Sequence, residues 1–482
     1  MIRSLRRVSG VLLVLLLGLI LNLVWLQFVD AADLKDQSGN TRTLLREYSR
    51  ERGPILVGST PIARSIPTAD QLKFLRTYAS GPMYAPATGF YSLVYGATGL
   101  ERTENSILAG GDDRFFVNRL EQLIAGRDIK GGAVRTTLSA DAQKAAYLGL
   151  AGRTGAVVAI DPRTGAILAL ATSPSFDPNL LSSHDPAKIR AAYDKYNADP
   201  AMPLSNRPLT MALPPGSSFK LVTAAAALES GKYTPDTIVP GPAALKLPLT
   251  TRSLNNWTGQ ACGPDGRTTF INALAVSCNT AFASIGMSLG GAALQAQAEK
   301  FGFNNSFLVP LRAATSQFPS NLNAPQTAMA AIGQFDVTAT ALQMAMVGAG
   351  IADNGTVMSP YLVSQVLGPD LSVLQQAEPA QFSQAMTPAN AASLLSMMEA
   401  VVSQGTGTNA RIPGVRVGGK TGTAQSGTNA KAHAWFVGVA PITNPQVAVA
   451  VVLQNGGGAQ EISGNALAAP IARAVMEAVL AQ

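Results

Sequence analysis

Histidine and cysteine are nearly missing from these 482 residues, with two of each, and only 13% of the chain is charged. His184 and His433 lie far apart, and no Cys or His pair has metal-ligand spacing, so no metal centre is expected. The same scarcity argues against a Ser-His-Asp triad, because His184 sits in a polar loop, Ser182-Ser183-His184-Asp185-Pro186. Each histidine reads as an ordinary loop or strand residue. Although the net charge is +7, there is no block of five or six like charges. That speaks against a nucleic-acid partner and leaves only mild attraction to anionic cell-envelope polymers or lipid. No cofactor is expected either. What the chain has is apolar surface: 47% hydrophobic residues, punctuated by 30 Pro and 45 Gly, in a length that suggests about two to four domains.

Residues Val8 to Val29 carry no charge. At helical rise they span about 33 Å, enough to cross a bilayer. Arg3, Arg6 and Arg7 precede the run, while Asp30, Asp33 and Asp36 follow it. The positive-inside rule puts residues 1–7 in the cytoplasm and everything after Asp30 outside. A cleaved signal peptide is the alternative, since Val29-Asp30-Ala31 is weakly A-x-A-like; the length of the run and Trp25 at its edge favour an uncleaved anchor. In an oxidising compartment Cys262 and Cys278 could pair, and closing that 16-residue loop would contribute about 3 kcal/mol. Two buried free thiols are the alternative.

A polar, basic stalk, Ser38 to Arg52, leads into a first module with a turn-rich middle, Ala79 to Gly111. A helical pattern follows in Asp112 to Ala125, and Gly131-Gly132 marks a boundary. No phosphate-binding glycine loop and no internal repeat occurs there, and the module reads as a spacer. A helix over Ala140 to Leu150 comes next. Gly155 to Ile160 and Ala166 to Thr172, split by an Asp161-Pro-Arg-Thr-Gly165 turn, then predict a hairpin. Ala434 to Val439 and Gln446 to Leu453 are again strand-like, and Asn465 to Leu480 reads as a helix. Strands near both ends imply one sheet built from distant segments, with helical partners drawn from residues 217–400.

Ser217 and Lys220 stand three residues apart after Pro214-Pro215-Gly216, ahead of an apolar helical run, Leu221 to Leu228. Positions i and i+3 share a helix face, so an amine is placed beside a hydroxyl. No other lysine has a serine three positions before it, which rules out Ser218 as the nucleophile. Lys420-Thr421-Gly422-Thr423 occurs once, before a strand run, and fits an edge strand whose small residues admit a ligand. Ser-x-Asn is weaker, matching at Ser38, Ser253, Ser277 and Ser463; the apolar frame of Ser277-Cys278-Asn279 favours that copy. An N-cap with a hydrogen-bonded asparagine explains it equally well.

The order Ser217-x-x-Lys220, Ser277-x-Asn279, Lys420-Thr421-Gly422 resembles the active-site serine penicillin-recognising enzymes. Gly155 to Asn179, Asn206-Arg207, Ile332-Gly333-Gln334, Leu342-Gln343-Met344 and Ala434 to Gly438 are similar to class B penicillin-binding proteins. Tyr95-Gly96 and Gly99-Leu100-Glu101 are similar to their pedestal. The likeness covers essentially the whole chain and is strongest to the small, penicillin-binding protein A type. Leu213 departs from it, where relatives often carry an aromatic residue.

The resemblance implies a multidomain α+β protein. Residues 1–7 would be a cytoplasmic tail and 8–29 a membrane anchor. Residues 30–150 would form an elongated pedestal, and 151–482 a penicilloyl serine transferase (β-lactamase-like) domain, an antiparallel sheet flanked by helices. It further implies a peptidoglycan D,D-transpeptidase, trapped by β-lactams, whose partners are stem peptides, the membrane and other division or cell-wall synthesis proteins. Ser217 would be the nucleophile, Lys220 its base with a lowered pKa, Ser277 a proton relay and Asn279 a holder of Lys220 and the donor amide. Lys420, Thr421 and Thr423 would bind the donor's carboxylate, with the Ser217 and Thr423 N–H groups as oxyanion hole. Three readings compete: a D,D-carboxypeptidase, a β-lactamase, and a catalytically silent scaffold of the division complex. Class A β-lactamases carry Asp where Cys278 stands, and the intact motif side chains count against a scaffold.

Overall fold

The computed structural model describes residues 2–28, 48–115, 130–424, 431–458 and 462–481. Most of the stalk, the body of the 112–125 helix and the end of the apolar run at Val29 lie outside these residues. The N-terminal helix spans Ile2–Phe28, and its Arg7–Trp25 stretch is long and apolar enough to cross a membrane, with no side chain buried against the rest of the protein. It has the form of a single-pass anchor.

Two sheets carry the rest. The six-stranded sheet runs in the order Val373–Gln376, Val363–Leu367, Ala133–Thr136, Ile55–Val57, Thr60–Pro67, Phe74–Tyr78. Ile55 pairs with Val134 in parallel, and Val366 pairs with Val134 antiparallel. Beneath it Glu101 is fully buried. One carboxylate oxygen accepts from Arg52 Nε at 2.6 Å, and the other from Arg76 Nε at 2.6 Å and from the Tyr78 hydroxyl at 3.2 Å. Arg52 also donates to Asn105 at 2.6 Å and lies over the Tyr91 ring. The two guanidiniums hold the Glu101 carboxyl below its usual range against a desolvation that pushes it up.

The five-stranded sheet is antiparallel in the order Gly418–Ala424, His433–Ala440, Val447–Leu453, Gly155–Ile160, Ile167–Ser173. Its inner strands read as near-continuous apolar runs because both faces are covered. In the Val447–Leu453 strand, Val447, Val449, Val451 and Leu453 enter one core while Ala448, Ala450 and Val452 enter the other. Helices Ala140–Leu150 and Ala469–Leu480 cover the first face. Helix Ala341–Ala352, buried along its whole length, covers the second, with Gly348 at the strand contact, where a Cβ would stand 2.9 Å from Val437.

The expected hairpin, strand pairs and C-terminal helix all form. The division at residue 150 is crossed twice. Helix Ala140–Leu150 packs with the C-terminal helix on the catalytic sheet, and residues 363–376 leave the second module to complete the first module's sheet. Helical cover also comes from outside residues 217–400, because a central sheet with two buried faces needs two layers.

Candidate active site

Pro215 and Gly216 turn the chain into a 3₁₀ turn, Gly216–Phe219, that runs directly into the Lys220–Glu229 α-helix. Gly216 adopts φ +53°, and a Cβ there would stand 2.7 Å from the Thr423 carbonyl oxygen. The turn is thus pressed against the Gly418–Ala424 edge strand. Gly422 makes the reciprocal approach, since its Cβ would lie 2.8 Å from the Pro215 oxygen. Trp435 Nε1 on the next strand donates to Pro214 O at 3.0 Å and fixes the lead-in. Ser217 is half-exposed at this seam, while Ser218 is buried and donates its hydroxyl to Pro215 O at 2.6 Å.

Lys220 is fully buried. Its Nζ donates to Ser277 O at 2.7 Å and Asn279 Oδ1 at 2.8 Å, and lies 3.3 Å from Ser277 Oγ. Lys420, also fully buried, donates to Ser277 Oγ at 2.9 Å and Thr421 O at 2.9 Å. Ser277 Oγ therefore sits between two amines. Ser277 itself has φ +60°, a left-handed conformation that costs a non-glycine residue about 1–3 kcal/mol and is kept only where its surroundings enforce it. Burial lowers the Lys220 pKa well below the usual lysine value, helped by the nearby Lys420 charge, and burial alone brings Lys420 to about 7. Among the described residues no hydrogen bond or ion pair of Lys220, Lys420, Ser277 or Asn279 goes to a carboxylate.

Cys278, between the serine and asparagine, is joined to Cys262 in a disulfide. That bridge, one of the two arrangements the sequence left open for the cysteines, ties the Ser277 turn to residues 255–262, whose Asn256 and Trp257 the sequence reading did not single out. Asn256 Oδ1 accepts from Thr280 N at 3.1 Å, Asn255 O accepts from Asn279 Nδ2 at 3.1 Å, and Trp257 Nε1 reaches Val276 O at 3.4 Å. Thr406 was missed as well. Its hydroxyl lies 2.7 Å from that of Thr421, and its N–H donates to Ala275 O at 3.0 Å. Gly405 permits this, because a Cβ there would stand 2.2 Å from Ala275 O. The Gly405-Thr406 pair carries no motif in one sequence; only a fold that brings it beneath the edge strand marks it.

The histidines stand elsewhere. His184 donates Nε2 to Phe74 O at 3.1 Å and pairs with Asp70 in the pedestal, and His433 Nδ1 accepts from Asn455 N at 3.0 Å.

Residues 155–477 match the penicillin binding protein transpeptidase domain, and residues 52–134 the penicillin binding protein A dimerisation domain. The chain is 42% identical to the peptidoglycan D,D-transpeptidase PbpA of Mycolicibacterium smegmatis over 99% of both chains, and equally identical to that of Mycobacterium tuberculosis. The structure of penicillin-binding protein A from M. tuberculosis as a ceftriaxone acyl-enzyme is similar with TM-score 0.88 and 41% identity, across 90% of this chain and 100% of that one. With the Ser217, Ser277 and Lys420 segments converging on one buried pair of amines, the chain belongs to the penicillin-binding protein transpeptidase family.

Proposed function

We propose that the protein is a peptidoglycan D,D-transpeptidase that crosslinks stem peptides through an acyl-enzyme on Ser217. The observation that carries this is the bonding of Lys220. A neutral amine has two hydrogens and one lone pair, and the two short bonds to Ser277 O and Asn279 Oδ1 use both hydrogens. The lone pair remains for the Ser217 proton, and burial, with the Lys420 charge nearby, shifts the amine toward its neutral form. Ser217 Oγ attacks the penultimate D-Ala carbonyl carbon. The N–H groups of Ser217 and Thr423 receive the oxyanion, the first at the start of a helix where negative charge is favoured. Lys220 passes the proton through Ser277 Oγ to the departing D-Ala nitrogen as the C–N bond breaks. An amine of a neighbouring stem peptide then attacks the ester, and Ser217 recovers its proton. Lys420, Thr421 and Thr423 hold the donor carboxylate, and Asn279 holds Lys220 and the donor amide.

Lack of a carboxylate among these contacts leaves a water at the ester without a dedicated carboxylate base, which favours a long-lived β-lactam adduct over rapid hydrolysis. Positive charge ahead of the apolar helix supports an orientation with the N-terminus in the cytoplasm and the site outside. The test uses the detergent-solubilised chain with a fluorescent penicillin, followed by intact mass and peptide mapping. An adduct on Ser217 lasting many minutes, lost in Ser217→Ala, is the expected result, and a crosslinking assay with stem peptides then separates amine from water as acceptor. Full acylation of the Ser217→Ala protein would overturn the assignment, and rapid release of hydrolysed drug would replace it with a β-lactamase.

A further inference from the structure

A small, partly open cavity of about 10 Å³ lies in the pedestal, lined by none of the residues of the acylation site. Its wall includes Arg50 and Arg52 from the start of the module, Ser65 and Arg76 from the sheet, and Ser182 and His184 from the loop after the catalytic hairpin. The volume admits one water or one ion of similar size. Charge on the wall is unbalanced. Arg52 and Arg76 share the single carboxylate of Glu101, and Arg50 has no ion pair among the described residues. Two carboxylates close by in the chain or on the wall's neighbours are already engaged, Asp70 with His184 and Glu51 with Lys130.

Hydrogen bonding leaves the same surplus. Arg76 Nε donates to Glu101, and its Nη1 to the Arg52 and Gly53 carbonyl oxygens at 3.2 and 2.8 Å. Its Nη2 is buried with no partner, although Arg76 is 95% buried. A water would accept a hydrogen bond there but supply no charge, and a buried cation in excess of its counter-charge is the costlier deficit.

We infer that this cavity is a site for one small monovalent anion of chloride size, held by the Arg76 guanidinium with Arg50 at its edge. The site joins three parts of the chain: the segment arriving from the anchor, the pedestal sheet and the Ser182–His184 loop of the catalytic module. The anion thereby stiffens the joint between pedestal and catalytic domain.

Thermal unfolding of the full-length protein in detergent tests it, comparing sodium chloride with sodium gluconate at fixed ionic strength, because gluconate is too large to enter. A saturable rise of about 2 °C or more with chloride is expected, since a ligand bound only by the folded state raises its melting point. Arg50→Gln, which leaves the Arg52-Glu101-Arg76 cluster intact, should move the chloride midpoint upward about tenfold, the size of a lost charge contact. Crystals grown in bromide should show an anomalous peak beside the Arg76 guanidinium. Equal melting in both salts, an unchanged midpoint in Arg50→Gln, or an ordered water without anomalous signal would each overturn the site.

Discussion

In the proposed mechanism Lys220 and Lys420 set the pH response of the acylation site. Both have folded pKa values below the ordinary lysine value, so protonation disables Lys220 as a base on the acid side, and deprotonation removes the Lys420 charge above about 7. The second-order rate of penicillin acylation should therefore be bell-shaped in pH, its two limbs belonging to the coupled pair. A rate that is flat from about pH 5 to 9 would contradict this. The stability consequence has the opposite sense to that of an ion pair. With folded values depressed, the unfolded chain binds more protons in the window between the folded and ordinary values, so stability rises with pH there. Lys420→Met should flatten that rise in a urea titration repeated across pH while abolishing acylation. Lys220→Arg should also abolish acylation, since a guanidinium keeps its proton. Thr406→Val removes the hydroxyl beside Thr421 and should slow acylation about tenfold, the worth of one such bond. Ser217, Lys220 and Lys420 were legible in the sequence because their chemistry needs fixed residue types at fixed spacing. Thr406 and Asn256 act through a hydroxyl and an amide that any surface loop carries, so only the fold reveals them.

At the level of elements, glycines decide how closely the three site segments approach. Gly216, Gly422 and Gly405 each face backbone at distances no side chain tolerates, the first two between the serine turn and the edge strand and the third against Ala275, two residues before Ser277. Gly405→Ala should push the 404–407 loop off Ala275, lowering stability by about 1–3 kcal/mol in urea unfolding and slowing acylation more than Thr406→Val does. Normal acylation in that variant would show that the loop does not position Thr421. Strands and helices of the catalytic sheet were readable from apolar runs bounded by Pro and Gly. The pedestal sheet was not, because its strands are short, partly exposed and drawn from segments far apart in the chain.

Across the whole molecule, the pedestal is bound together by a buried cluster with one acid among several cations. Glu101→Gln should cost about 3–5 kcal/mol in thermal unfolding, leaving two guanidiniums uncompensated, while acylation by the folded fraction stays within about twofold. A loss of acylation at temperatures where the variant is folded would mean that the pedestal tunes the site. The interleaving of the two modules also has a meaning in time. Ser364 bonds to Arg135, 229 residues earlier, and the Val363–Leu367 strand covers an edge that the first module leaves open. On the proposed orientation, a chain threaded outward behind its anchor has that edge bare until about three-quarters of its length has appeared. Its pedestal sheet can then be completed only after the serine segment and much of the catalytic core have emerged, so a stalled or truncated product would carry an open sheet edge, the kind of surface that aggregates or recruits chaperones.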